Sequence, residues 1–155
     1  MKKVCIALDY NPTAKKVAKM GADYATALGA EIYLVHVLEE AAYYAIDYIP
    51  VMGYENSFST SSLSMVKELK DNAEAFLNDT KEQLNGKRVN TKVLEGTTAE
   101  AILEFSMSNN IDLIVLGTHS HSVVENVLMG NTAVKIVRHS HIPLLVIPNK
   151  EVEND

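Results

Sequence analysis

Five short apolar runs punctuate the chain, KVCIAL at 3–8, EIYLVHV at 31–37, VNTKVLE at 89–95, IDLIVLG at 111–117 and PLLVIP at 143–148. They are rich in β-branched residues, and four of them are almost continuously apolar, the pattern of strands covered on both faces. The segments between them change to a helical period. Val17, Ala18, Gly21, Tyr24, Ala25 and Leu28 fall on one face of residues 13–28, with Lys15, Lys16, Lys19 and Asp23 mostly opposite. Asn11 and Pro12 supply a cap and a first-turn residue for that helix, and Gly29 ends it. Leu63, Val66, Leu69, Ala73, Phe76, Leu77, Thr80 and Leu84 form the stripe of a longer helix closed by Gly86. The stretch TTAE at 97–100 reads as a capping box, Thr97 capping and Glu100 returning, for a helix to about Ser108. A last helical pattern covers 122–139, interrupted at Gly130 and Asn131.

Strands alternating one for one with helices imply an α/β protein with parallel pairing, right-handed crossovers and helices on both faces of one open sheet. Ligands of such sheets bind at the carboxyl ends of the strands, where the strand order reverses. The loops after strands 1 and 4, residues 9–13 and 117–130, are therefore the candidate site.

Composition narrows the function classes. A chain of 155 residues fits one domain, expected over 1–150, followed by a short acidic tail at 151–155. Hydrophobic residues at 47% and charged residues at 22% are globular values, and no apolar run nears the roughly 20 residues that span a bilayer. Neither a membrane protein nor a secreted one is expected. A net charge of −6 leaves no basic excess for a nucleic-acid backbone. The single Cys5 lies inside strand 1, which fits a reducing cytoplasm and reads as a small buried hydrophobe rather than a redox thiol.

No G-x-x-x-x-G-K-[ST] and no G-x-G-x-x-G occurs, so a Walker loop and a dinucleotide fingerprint are both excluded. A phosphoacceptor receiver is excluded too, since Asp9 stands alone after strand 1 and strand 3 ends in Glu95. What remains is GTHSHSVVENVLMGNT at 117–132, a G-x-x-S-(nine residues)-G-N pattern with Gly117, Ser120, Gly130 and Asn131 at the marked places. With CIALDYNPTA, LVHV, EGTTAEAI, NNIDLIVLGTHS and IPLLVIP, this resembles the universal stress protein family over nearly the whole chain. Nucleotide-binding members of that family carry G-x-x-G-(nine residues)-G-[ST] at the same point.

The resemblance implies a Rossmann-like, adenine-nucleotide alpha hydrolase-like fold with strand order 3-2-1-4-5, and commonly a dimer. It implies that Asp9 and Val37 lie beside the adenine and ribose of ATP or another adenine nucleotide, with magnesium admissible alongside ATP. The phosphates would meet Gly117, His119, Ser120, Gly130, Asn131 and Thr132. Independently, Asn is a favoured N-cap, so a helix starting at Asn131 would offer N–H groups and a positive dipole end to an anion. Ser120 and Asn131 depart from the family pattern, so two readings stand. One is a dimeric, cytoplasmic stress-response protein that holds an adenine nucleotide; the other is a family interaction module without nucleotide.

His119, His121, His139 and His141 form two H-S-H triplets, but the pairs are expected at opposite edges of the sheet, and no metal site is expected. Tyr43, Tyr44, Tyr48 and Tyr54 crowd the stretch between strand 2 and the long helix, as an aromatic lid, a partner surface or simply a packed loop. No nucleophile and base pair has telling spacing, so no catalytic residue is expected and ATP hydrolysis is at most slow. The apolar last strand, 143–148, is expected at the sheet edge and to pair with its symmetry mate in a homodimer.

Overall fold

The computed structural model describes residues 2–39, 55–85, 88–118 and 129–148, with the backbone alone for 55–62. Its strands are β1 (Lys3–Ala7), β2 (Glu31–Leu38), β3 (Val89–Glu95), β4 (Leu113–Gly117) and β5 (Leu144–Ile147). Its helices are α1 (Ala14–Ala27), α2 (Glu55–Gln83), α3 (Thr98–Ser108) and α4 (Asn131–His139). The strands form one sheet in the order β3-β2-β1-β4-β5, with every neighbouring pair parallel. The five strands, their type and their order agree with the expectation, and each boundary lies within two residues of it.

Alternation along the strands sorts the core into two layers. Val4 and Ile6 of β1, with Leu34 of β2, pack under α1 and α2 beside Val17, Ala22 and Leu77. Cys5 of β1 and Val35 of β2 point the other way, toward Ile102 of α3 and Ile136 of α4. A residue on each side of the same strand is thus fully enclosed, which explains why the strands read as unbroken apolar runs. At Gly21, α1 comes so close to the sheet that an added Cβ would stand 3.0 Å from Ile6 Cδ1 and from Val115 Cγ1.

Helix ends differ from the expectation in instructive ways. Gly29 does end α1: with φ +65, it donates to Thr26 O while Ala30 N–H reaches Ala25 O, a Schellman closure. Asn110 (φ +54) closes α3 in the same manner, through Asn110 N–H to Met107 O and Ile111 N–H to Ser106 O. At α2 the left-handed residue is Asn85 (φ 31), whereas Gly86 lies outside the described residues. Thr97 occupies the N-cap of α3 but makes no side-chain capping bond; the neighbouring Thr98 hydroxyl donates instead to Glu39. Gly130, not Asn131, is the N-cap of α4, and Asn131 is its first helical residue. Thr13, not Asn11, is the N-cap of α1, so Pro12 precedes the helix; Asn11, two residues before the cap, accepts from Thr13 N–H and Oγ1 through its Oδ1 in an Asx turn that leads into Ala14.

The helix stripes are also narrower than the sequence pattern. Tyr24 and Leu28 of α1 are half-exposed, because Ala18, Gly21, Ala22 and Ala25 already fill the contact with the sheet. Along α2, Ala73, Leu77, Thr80 and Leu84 are buried, Val66 and Leu69 partly so, and Leu63 is exposed. Full burial along the described side chains of α2 begins at Ala73, so a stripe continuous in sequence loses its cover toward the amino end of the helix.

Candidate functional site

The strand order reverses between β1 and β4. From β1 the chain crosses by α1 to β2 on one side, while β3 returns through α3 to β4 on the other. The loops leaving β1 and β4 therefore separate, and the crevice between them opens at the carboxyl ends of the strands. A cavity of about 330 Å³ occupies this position.

Its apolar floor includes Val17, Val35, Val37, Ile102, Leu116 and Ile136, drawn from both layers of the core. Two carboxylates, Asp9 and Glu39, are the charged side chains among the described residues lining it. Asp9 follows β1; its Oδ1 accepts from Asn11 N–H at 2.9 Å and thereby shapes the turn into α1. Glu39 follows β2 and is fixed by the Thr98 hydroxyl at 2.6 Å. Since no described Lys or Arg lines the cavity, an anion there would rely on backbone dipoles.

The β4 side supplies them. Gly117 ends β4, and Thr118 carries the chain into the next segment, its N–H donating to Ile147 O at 3.1 Å. After residues 119–128, the chain returns so that Gly130 N–H donates to Thr118 O at 2.6 Å, drawing the start of α4 against the end of β4. Gly130 has extended backbone and its carbonyl accepts the first α4 bond, from Val134. The N–H groups of the first α4 turn have no acceptor within the helix, and their dipole end faces the crevice wall formed by Thr132 and Ala133.

Of the eight residues expected at the site, Asp9, Val37, Gly117, Gly130 and Thr132 line this one cavity. Asn131 is exposed and does not line it, because as first helical residue its side chain projects from α4 rather than from the loop. His119 and Ser120 lie outside the described residues, as do His121, Tyr43, Tyr44, Tyr48 and Tyr54. His139 and His141 are exposed at the end of α4 remote from the crevice.

Sequence reasoning missed an aromatic cluster in the wall. His36, in β2, is buried with its ring 4.4 Å from that of Tyr10 and 5.8 Å from that of Phe76, while Tyr10 and Phe76 lie 5.0 Å apart. Its Nδ1 is 2.8 Å from the carbonyl oxygen of Leu8, tying the middle of β2 to the end of β1. Burial holds the imidazole below its usual pKa, against the opposing influence of the Leu8 carbonyl and the Asp9 carboxylate. Burial likewise pushes the Tyr10 phenol up. The available signal was a polar residue interrupting the apolar run YLVHV. Elsewhere, burial pushes the Cys5 thiol up to about 12, opposed weakly by the Ser106 hydroxyl, which makes Cys5 part of the core and not of the site.

A parallel, doubly covered sheet with this order is the adenine-nucleotide alpha hydrolase-like fold, and its crevice at the reversal point is the place where such sheets take ligands. The profile of the universal stress protein family matches residues 1–148, and the chain belongs to that family. Universal stress protein MJ0531 of Methanocaldococcus jannaschii is 30% identical over 154 residues, covering 97% of this chain and 85% of the relative. The solved structure of MJ0577 from the same organism superposes with a TM-score of 0.79 at 21% identity, covering 97% of each chain. A universal stress protein solved in complex with cAMP superposes with a TM-score of 0.62 at 15% identity, over 96% of this chain and 98% of that one.

Proposed function

We propose that the crevice binds an adenine nucleotide and that the protein acts in the stress response through its nucleotide-bound state. The observation that carries this reading is the convergence of Asp9, Val37, Gly117, Gly130 and Thr132 on one cavity at the reversal point. The nucleoside lies over the apolar floor beside Val37, with Asp9 as an acceptor for ribose hydroxyls. The phosphates extend toward Gly117, Gly130 and the first turn of α4, joined by His119 and Ser120 of the intervening loop. The complex of a family member with cAMP favours this ligand class. Magnesium would accompany ATP by bridging phosphate oxygens, as hard cations do, and hydrolysis is at most incidental.

β5 is an edge strand of the sheet, with Leu144, Leu145 and Val146 only partly buried. An exposed apolar edge invites pairing, so the reading includes a homodimer formed through residues 143–148. It places the protein in the cytoplasm.

A second reading is favoured by one observation: Asn131, at a position where nucleotide-binding relatives carry a hydroxyl, is exposed and does not line the cavity. The protein would then be a family interaction module without nucleotide. The test is mass spectrometry of ligand released from native protein, with thermal melting in added ATP. At one hundred times Kd, binding stabilises by about 2.7 kcal/mol, which for this length raises Tm by roughly 5 to 11 °C. Gly130→Val should abolish the shift and Ser120→Gly with Asn131→Ser should enlarge it. No released nucleotide, and no shift in either wild type or the double variant while both stay folded, would establish the second reading.

A further inference from the structure

The tautomer of His36 is fixed by its surroundings. The Leu8 carbonyl can only accept a hydrogen bond, so the ring nitrogen 2.8 Å from it, Nδ1, carries the proton. In the neutral ring Nε2 is then a lone-pair acceptor. Among the described residues only the Nδ1 bond is made by the ring, and His36 lines the cavity. Tyr10 and Phe76 hold the ring from its sides, and Val93 is its register partner in β3. Of the neighbouring polar side chains in the same wall, Asp9 and Glu39 are carboxylates that accept and do not donate when ionised, while Tyr10 and Thr13 carry hydroxyls.

We propose that His36 is a specificity-determining residue of the cavity, its Nε2 accepting a hydrogen bond from a donor on the bound nucleoside. This rests on the reading of the cavity as an adenine-nucleotide site and adds to it a recognition rule. Beside the Tyr10 and Thr13 hydroxyls, the β1–β2 wall offers three acceptors, Asp9, Glu39 and His36 Nε2, and favours a ligand face that carries donors, whereas the backbone N–H groups of α4 on the far wall take the acceptor-rich phosphate end. The donor is either a ribose hydroxyl or the exocyclic amine of adenine; both are N–H or O–H groups that meet a neutral imidazole equally well.

Cyclic AMP is the suitable probe, because its phosphodiester keeps one charge across the range of about pH 5 to 8 in which a histidine titrates. In full-length protein labelled with ¹⁵N at histidine, the His36 pair should read as one protonated and one bare nitrogen, and saturation with cAMP should move the bare Nε2 resonance upfield. His36→Phe keeps a ring between Tyr10 and Phe76 but removes the acceptor, and should weaken cAMP binding by roughly 3- to 10-fold, the worth of one hydrogen bond. His36→Gln, which retains an amide donor and an acceptor oxygen, should recover part of that loss and serves if the Phe variant does not fold. The donor is identified with 2′-O-methyl and N6,N6-dimethyl analogues of cAMP. The analogue lacking it should lose affinity in wild type but bind His36→Phe about as well as cAMP does, the non-additivity expected of partners in contact. An Nε2 resonance unmoved at saturating cAMP, or equal losses for both analogues in wild type and variant, overturns the assignment while leaving the nucleotide reading in place. Failure of wild type to bind any adenine nucleotide overturns both.

Discussion

Gly21 sets how closely α1 can lie on the sheet. An added Cβ would sit 3.0 Å from Ile6 Cδ1, 3.0 Å from Val115 Cγ1 and 3.3 Å from Ile6 Cγ1. Carbon atoms in good contact are about 3.5 to 4.0 Å apart, so the overlap is about 0.5 to 1 Å against two side chains at once. Both neighbours are fully buried in the adjacent central strands β1 and β4, and they have little room to turn. The alternative is for α1 to lift, which would loosen Ala18, Ala22 and Ala25 from the same surface. Overpacking of this kind costs about 1 to 3 kcal/mol, while replacing a helical Gly by Ala returns about 1 kcal/mol of propensity. Gly21→Ala should therefore be destabilising by at most about 2 kcal/mol net. Gly21→Val adds two methyl groups with less propensity gain and should cost about 3 kcal/mol, lowering Tm by roughly 6 to 12 °C in a chain of this length. Thermal melts followed by circular dichroism would measure it, with Ala27→Val at an exposed position of the same helix as the propensity control. Adding Ile6→Val removes the Cδ1 atom and should make the Gly21→Ala double variant more stable than the sum of its single changes. Melting of Gly21→Val indistinguishable from the Ala27→Val control would refute the close-approach account.

Three further outcomes follow from the same structure. The folded pKa of His36 is lowered from 6.5, so the unfolded chain binds the extra proton first; stability is full above about pH 6.5 and should fall as pH drops toward the lowered folded value, a loss that pH-dependent melts should find reduced in His36→Phe. Cys5, with a thiol pushed to about 12 and no solvent contact, should react with a thiol reagent only through opening of the fold; labelling at the rate of a small free thiol at pH 8 would contradict the burial. Gly29→Ala forces a Cβ into φ +65 and should cost about 1 to 2 kcal/mol, whereas Gly29→Asn should cost less, because Asn85 and Asn110 already occupy the equivalent place after α2 and α3; equal melting points for the two variants would count against this.

The fold was legible because two periods dominate the chain. Val4 and Ile6 face one layer and Cys5 the other, so β1 must be apolar at successive positions, and that requirement appears in sequence as KVCIAL. The endpoints were less legible because caps are settled by backbone geometry. The TTAE stretch has the residues of a capping box, yet Thr97 makes no side-chain capping bond, and the neighbouring Thr98 gives its hydroxyl to Glu39, which sequence places 59 residues away. Tyr24 and Leu28 read as core for a similar reason: their helical angle borders the buried stripe, and only the close seat of α1 at Gly21 shows that small residues fill the contact without them.

The site divides along the same line. Gly117 and Gly130 could be marked from spacing, since a loop that presents its own N–H groups needs few side chains and leaves glycines as its trace. Asn131 could not be placed that way, because one residue decides whether a side chain caps a helix from the loop or projects from its first turn, and Gly130 takes the cap. His36 was hidden by its role in the sheet. Within EIYLVHVL it looks like one imperfection in a buried strand, and its meaning depends on Leu8 and Tyr10, just after β1, and on Phe76 of α2. A buried polar group must find a partner, and the Leu8 carbonyl at the end of β1 is that partner. The bond commits one nitrogen and, by tautomerism, makes the other an acceptor. The packing demand that makes His36 tolerable in the strand therefore also fixes which chemical group it can offer to the cavity.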